Sequence, residues 1–367
     1  MNLIKVILIN VGITFGLLGM LLMAPPILYK IQLLVSKNDG RTTKDERSNL
    51  AIYEQVLWAE TFFIENNEIP TIYHDYITWR RDDYTGETIN IVDGVRATVS
   101  SQAQNSEHIQ YYFFGGSTTW GAGVNDANTY PSLFAQLTDS NVTNLGEGAY
   151  IARQSLAYLN NLVINESLSD MSGKHIVFYD GVNDVALRCR SEISGLGTGR
   201  EYQIQNKLLQ KSDDKYSFLA TFYQLTEFLV AFTKRLGIVN AAQTYNCASN
   251  PERAQEVATT LVDTWLAASD LVRRRGGDFT AILQPLAYLG SPITNYLNLT
   301  NDDDIALKAQ YKAVYPLIRK IAETRNIRFI DLTHVYDGCD NCYIDFCHVG
   351  PQAHRILVRE LIKDLAQ

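Results

Sequence analysis

Four short stretches of this 367-residue chain carry residue types suited to acyl chemistry. The first is Tyr111-Tyr112-Phe113-Phe114-Gly115-Gly116-Ser117-Thr118-Thr119-Trp120-Gly121, an apolar run that stops in two glycines and presents a serine. Glycine accepts backbone angles that side-chain-bearing residues resist. The pair therefore permits a sharp turn with Ser117 at the carboxyl end of a strand, where open α/β sheets place their ligands. Taken alone, such a serine reads as a helix cap, so its chemistry depends on partners. The second stretch, Asn144-Leu145-Gly146-Glu147-Gly148-Ala149-Tyr150, again ends a strand in glycines and exposes backbone N–H groups. The third, Tyr179-Asp180-Gly181-Val182-Asn183-Asp184, offers a side-chain amide as an oxyanion donor; the alternative is an Asx-turn residue closing a loop. The fourth, Asp345-Phe346-Cys347-His348-Val349-Gly350-Pro351, sets a carboxylate three residues before a histidine. That spacing lets Asp345 orient the imidazole of His348 and stabilise its charged form.

The elements that must position these groups alternate between strands and helices. Strands are expected at 108–114, 141–145, 174–180, 279–283 and 327–332. Helices are expected at 130–137, 153–163, 252–274, 304–324 and 351–365, with Pro131 and Pro351 at first-turn positions. Strands separated by helices imply a parallel sheet covered on both faces. Before this core, 50–64 is apolar at helical spacing and 73–100 reads as an irregular, partly β lead-in. Between the third strand and the long helix lies an insertion at about 186–250, bracketed by Cys189 and Cys247. It would cover the site as a lid or form a satellite core through Tyr202, Tyr216, Phe218, Phe222, Tyr223 and Phe228.

Composition narrows the function. A hydrophobic share of 46% and a charged share of 20% are those of a globular protein. A net charge of −8 and the lack of a basic patch argue against nucleic-acid binding. The six histidines show no metal-ligand spacing, and neither a metal nor a cofactor is called for; His354 reads as a surface residue of the last helix. Five cysteines, Cys189, Cys247, Cys339, Cys342 and Cys347, suggest one or two structural disulfides with one thiol left over, hence an oxidising compartment. A Cys189–Cys247 bridge and two unrelated thiols are both open readings.

Residues 6–29 contain no charge and are long enough to cross a hydrocarbon core of ~30 Å. Pro25 and Pro26 occupy the place of a cleavage site, so an uncleaved anchor is expected rather than a signal peptide. Lys30, Lys37, Arg41, Lys44 and Arg47 follow it against Lys5 before it, which by the positive-inside rule puts the body in the cytoplasm. The cysteines point outward, and an external body is the expectation. The chain then divides into an anchor (1–36), a connector and lead-in (37–107) and a main domain (108–367).

Taken together and in order, the four stretches resemble those of the SGNH hydrolases, the GDSL-like esterase and lipase superfamily, over about 111 to the carboxyl terminus without the insertion. The resemblance implies a flavodoxin-like three-layer α/β/α sandwich around a mainly parallel five-stranded sheet, behind the N-terminal transmembrane helix. By motif, Ser117 resembles the nucleophile, His348 and Asp345 the base and its orienting carboxylate, and Asn183 the oxyanion amide. The Ser117 N–H and an N–H at Gly148 or neighbouring Ala149 complete the oxyanion hole. The first motif lacks the aspartate of Gly-Asp-Ser, and the expected oxyanion glycine aligns near Ala149. The implied activity is hydrolysis of esters, O-acetyl groups on carbohydrate foremost. The alternatives are O-acyl transfer to surface polysaccharide and a silent membrane-tethered binding module. Trp120 either lines the site or packs its loop.

Overall fold

A computed structural model describes residues 45–100, 109–165, 167–193 and 244–366. All of these lie in one unit, formed by Lys44–Gly199 together with Gln243–Gln367. The apolar run 6–29 and most of the insertion, including its tyrosines and phenylalanines, fall outside the described residues. Among the described residues no helix is long and apolar enough to cross a membrane.

The lead-in begins with two 3-10 turns, Glu46–Asn49 and Ala51–Tyr53, before helix α1 (Ala59–Glu68). The continuous helix expected over 50–64 is thus replaced by turns up to Trp58. Packing accounts for this: Tyr53 turns inward to donate to the Gly123 carbonyl at 2.6 Å, while Leu57 is left 98% exposed. A hairpin of β1 (Thr71–His74) and β2 (Thr78–Arg81) follows, then β3 (Tyr84–Thr85), β4 (Asn90–Val92) and β5 (Val95–Arg96).

The core runs β6 (Gln110–Gly115), α2 (Ser117–Trp120), α3 (Tyr130–Thr138), β7 (Asn141–Gly146), α4 (Ala152–Ile164), β8 (Lys174–Asp180) and α5 (Val182–Arg188). It continues with α6 (Pro251–Arg273), β9 (Asp278–Leu283), α7 (Asp302–Thr324), β10 (Phe329–Asp331) and α8 (Pro351–Leu365). The expected strands and helices are recovered with ends moved by one or two residues; His108 lies outside the described residues. The sheet, however, has eight strands rather than five, in the order β10-β9-β8-β6-β7-β5-β4-β3. The lead-in supplies the additional three. β5 pairs antiparallel with β7 through Arg96 and Asn144, so a parallel edge that would otherwise be open is covered.

Counted among themselves, the five parallel strands stand in the order 2-1-3-4-5, the flavodoxin-like arrangement. Alternating residues face opposite layers. Tyr111, Phe113, Val177, Tyr179 and Ile282 pack with Tyr130 and Phe134 of α3 and Leu357 and Leu361 of α8. Phe114 points the other way, against Phe178 of β8 and Tyr158 of α4. His354 belongs to the first of these layers: it is fully buried and stacked near Tyr130, not on the surface. Because β7 and β8 flank β6 on opposite sides, a crevice opens at the carboxyl ends of β6 and β8.

Candidate active site

Ser117 is the first residue of α2, directly after the Gly115-Gly116 turn that ends β6. Gly115 has φ +152°, and a Cβ on Gly116 would strike the side-chain amide of Asn183. Asn183 can pack against the turn that carries Ser117 only because Gly116 is bare. Within 115–121 every residue except Ser117 and within 181–185 every residue except Asn183 is buried. The two strand ends therefore each present one accessible polar side chain to the same crevice.

The partner loop is a tight hairpin. Tyr343 bridges Val349, Ile344 N–H donates to the His348 carbonyl at 2.9 Å, and Gly350 N–H donates to the Cys342 carbonyl at 2.9 Å. Asp345 Oδ1 accepts from the backbone N–H groups of Cys347 at 2.9 Å and His348 at 2.8 Å. Asp345 Oδ2 lies 2.7 Å from His348 Nδ1, and His348 Nε2 lies 2.6 Å from Ser117 Oγ. The network assigns the proton on Nδ1 to the Asp345 bond, which leaves Nε2 to accept from the serine. Burial alone would raise the Asp345 carboxyl, but the His348 imidazole, its hydrogen bond and the two backbone N–H groups hold it well below the usual carboxylate range. Tyr288 stacks on Phe346 at 5.5 Å, and Ala287 N–H donates to the Phe346 carbonyl at 2.8 Å, so the segment after β9 supports the loop.

Asn183 Nδ2 donates to the Tyr150 carbonyl at 2.8 Å, which fixes the amide with its second hydrogen free for the crevice. The Gly148 N–H is not free: it donates to the Glu147 carboxylate at 2.6 Å. The same carboxylate accepts from Arg81 N–H at 2.8 Å and pairs with the Arg81 guanidinium at 3.4 Å. Among the described residues nothing accepts from the N–H of Ala149 or of Ser117. Ala149 is held at φ +61°, a left-handed conformation costly for a residue with a Cβ. The free donor of the second stretch is thus at Ala149, one residue beyond Gly148.

Several further residues support these elements. Arg96 is buried, reaches the carbonyls of Trp120 and Gly121 at 2.9 Å and Val124 at 2.7 Å, and pairs with Asp126 at 2.9 Å. Burial pulls the Arg96 guanidinium down to about 10 against the pull of Asp126. Trp120 is buried between two guanidinium groups, Arg81 at 3.6 Å and Arg96 at 4.2 Å from its ring. Trp120 therefore packs the loop behind Ser117. Asp184, pushed up to about 6 by burial, accepts from Ala152 N–H at 3.2 Å and ties α5 to the start of α4. Trp120 and Asp184 lie within the first and third stretches, whereas Arg81, Arg96 and Asp126 lie in none, and only a charged residue amid apolar neighbours, as at Arg96, gives a signal.

Cys189 is bridged to Cys247 and Cys339 to Cys342, while Cys347 is free and buried. Cys347 Sγ lies 3.7 Å from His348 Nδ1, in a cluster with Asp345 whose donor atoms are within 4.8 Å of one another. Burial and the Asp345 carboxylate push its thiol well up. His348 Nδ1 is already bound to Asp345, and the cluster reads as a carboxylate–imidazole couple.

No protein-family profile matches the chain, and no curated protein sequence matches it. Solved structures similar to it include a lipolytic G-D-S-L family protein from Veillonella parvula, at 14% identity over 70% of this chain and 98% of that one, TM-score 0.39. A carbohydrate acetylesterase family member from Sinorhizobium meliloti matches at 15% identity over 70% and 99%, TM-score 0.38. The inhibitor-bound aryl esterase of M. smegmatis matches at 13% identity over 72% and 99%, TM-score 0.38.

Proposed function

We propose that the protein is a serine esterase of the SGNH type. The observation that carries this reading is the continuous chain from Ser117 Oγ through His348 Nε2 and Nδ1 to Asp345 Oδ2, with bonds of 2.6 and 2.7 Å. Ser117 attacks the ester carbonyl carbon as His348 Nε2 takes its proton, and Asp345 stabilises the imidazolium. The oxyanion accepts from the N–H groups of Ser117 and Ala149 and from the Asn183 amide. Collapse breaks the ester C–O bond, His348 returns its proton to the leaving alcohol, and water then cleaves the acyl-enzyme by the same route reversed. The substrate class is the one implied by the sequence resemblance: acyl, and foremost acetyl, esters of carbohydrate.

Incubation of the purified protein with an O-acetylated oligosaccharide tests this. Acetate release that disappears in Ser117→Ala supports hydrolysis. Product that forms only when an acceptor glycan is added supports O-acyl transfer instead, and identical behaviour of wild type and Ser117→Ala leaves a silent binding module.

We also place the body of the protein outside the cytoplasm, tethered by residues 6–29. Two disulfides among the described residues fit an oxidising compartment. A carboxyl-terminal reporter that is active only outside the cytoplasm tests the orientation; activity of a reporter that works only inside overturns it.

A further inference from the structure

The Asp345 carboxylate has four acceptor positions, and all four are filled. Three partners come from its own hairpin: the backbone N–H groups of Cys347 and His348, and His348 Nδ1. The fourth is Arg47, 298 positions away in sequence, whose Nη1 donates to Oδ2 at 3.2 Å. Among the described residues, Arg47 is the one side chain from outside the loop that holds this carboxylate. The guanidinium is itself fixed. Its Nε and Nη2 form a fork on Asp45 at 3.0 and 2.7 Å, and its carbon lies 5.1 Å over the Phe63 ring. The same lead-in segment braces the hairpin at its far end, where Ile52 fills the space that a Cβ on Gly350 would need. Ile344 joins Tyr53, Phe62 and Phe63 in one apolar cluster.

We propose that Arg47 is a positioning residue for the Asp345–His348 couple and that Asp45 offsets its charge. The proposal rests on the assignment of Ser117, Asp345 and His348 to ester chemistry. A guanidinium on Oδ2 fixes the carboxylate but also draws on the negative charge that stabilises imidazolium, so an unbalanced cation would oppose the base. Asp45 supplies the balancing charge, and the planar fork of arginine binds both carboxylates at once, which lysine cannot do. The titratable groups facing the couple are Asp45, Arg47 and Tyr53 from the lead-in, Cys347 from the hairpin and His354 from α8.

The charge balance gives the proposal a signature that a purely structural contact lacks. Arg47→Gln removes a cation and exposes Asp45, so imidazolium is favoured and the acid limb of kcat/KM moves up by about half a pH unit. Asp45→Asn leaves the cation unbalanced and moves that limb down by about as much. The double variant returns the limb to the wild-type position while kcat stays about ten- to a hundredfold low, because the hold is lost but the charge is balanced. Arg47→Lys keeps the limb in place and loses part of kcat.

The experiment is the pH profile of 4-nitrophenyl acetate hydrolysis by the full chain and these four variants, with melting temperatures as a folding control and Ser117→Ala alongside. Opposite shifts in the two single variants with KM nearly unchanged support the proposal. Wild-type kcat and unmoved limbs in both overturn it, as does a loss of kcat with no shift in either. Should Arg47→Gln fail to fold, Asp45→Asn and Arg47→Lys still decide it. A wild type no faster than Ser117→Ala would instead overturn the ester assignment itself, which keeps the two failures apart.

Discussion

Gly148 and Ala149 differ by one position, and the difference decides which N–H is available. Sequence spacing leaves Gly148 and Ala149 both open, because what occupies the Gly148 N–H is the side chain of Glu147 folding back on it. No motif encodes that contact. Ser117, Asn183, Asp345 and His348 stand out as candidates in the sequence because each sits at a strand end or in a short loop with a distinctive neighbour. The structure brings all four to one crevice edge or to the loop beside it. Asn183→Ala should lower kcat by about a hundred- to a thousandfold with KM little changed, the usual effect of losing one oxyanion donor. A change under tenfold in steady-state assays would remove Asn183 from the oxyanion hole. Ala149→Gly should keep wild-type activity and leave stability equal or up to about 1 kcal/mol higher, since glycine takes φ +61° without strain. Denaturant unfolding checks this, and a clear loss of stability would contradict the strained assignment.

The parallel strands and their helices were readable because the chain alternates apolar runs with amphipathic periods. The lead-in was not. Segments of two to four residues, β1 to β5, carry too few positions to show a period, and their pairing is set by tertiary contacts such as Arg96 opposite Asn144. The apolar spacing over 50–64 misled for a related reason: Tyr53, Ala59, Phe62 and Phe63 do share one apolar cluster, but 3-10 turns followed by α1, and not one continuous helix, bring them to it. The Cys189–Cys247 bridge closes a loop of 58 positions at the end of α5. In the chain-entropy view, replacing both cysteines by serine costs about 4 kcal/mol at most. Chemical denaturation of that variant should show most of this loss, while kcat/KM of the surviving folded protein stays near wild type. No change in the midpoint would mean that the insertion constrains the chain by other means.

His354 was expected on the surface, and its burial against α3 has a consequence for the fold as a whole. Burial pulls the imidazole of His354 down to about 3 and that of His175 down to about 4. In the unfolded chain both take up protons near pH ~6.5. Between those values the unfolded state binds more protons, so stability is full above pH ~6.5 and falls as pH drops toward 4. At pH ~5 the loss is about 2 kcal/mol for each histidine. Melting temperatures from pH 7.5 to 4.5 should fall in the wild type and fall less steeply in His354→Leu; parallel curves would contradict the assignment. The sheet, the lead-in and the hairpin all converge on one oxygen atom, Ser117 Oγ, and its reactivity is the most direct test. Mass spectrometry of the folded protein after treatment with a fluorophosphonate should find one adduct on Ser117, absent in His348→Ala and in Ser117→Ala. Wild-type protein that stays unlabelled, or labelling of Ser117 that persists at the same rate without His348, would contradict the account.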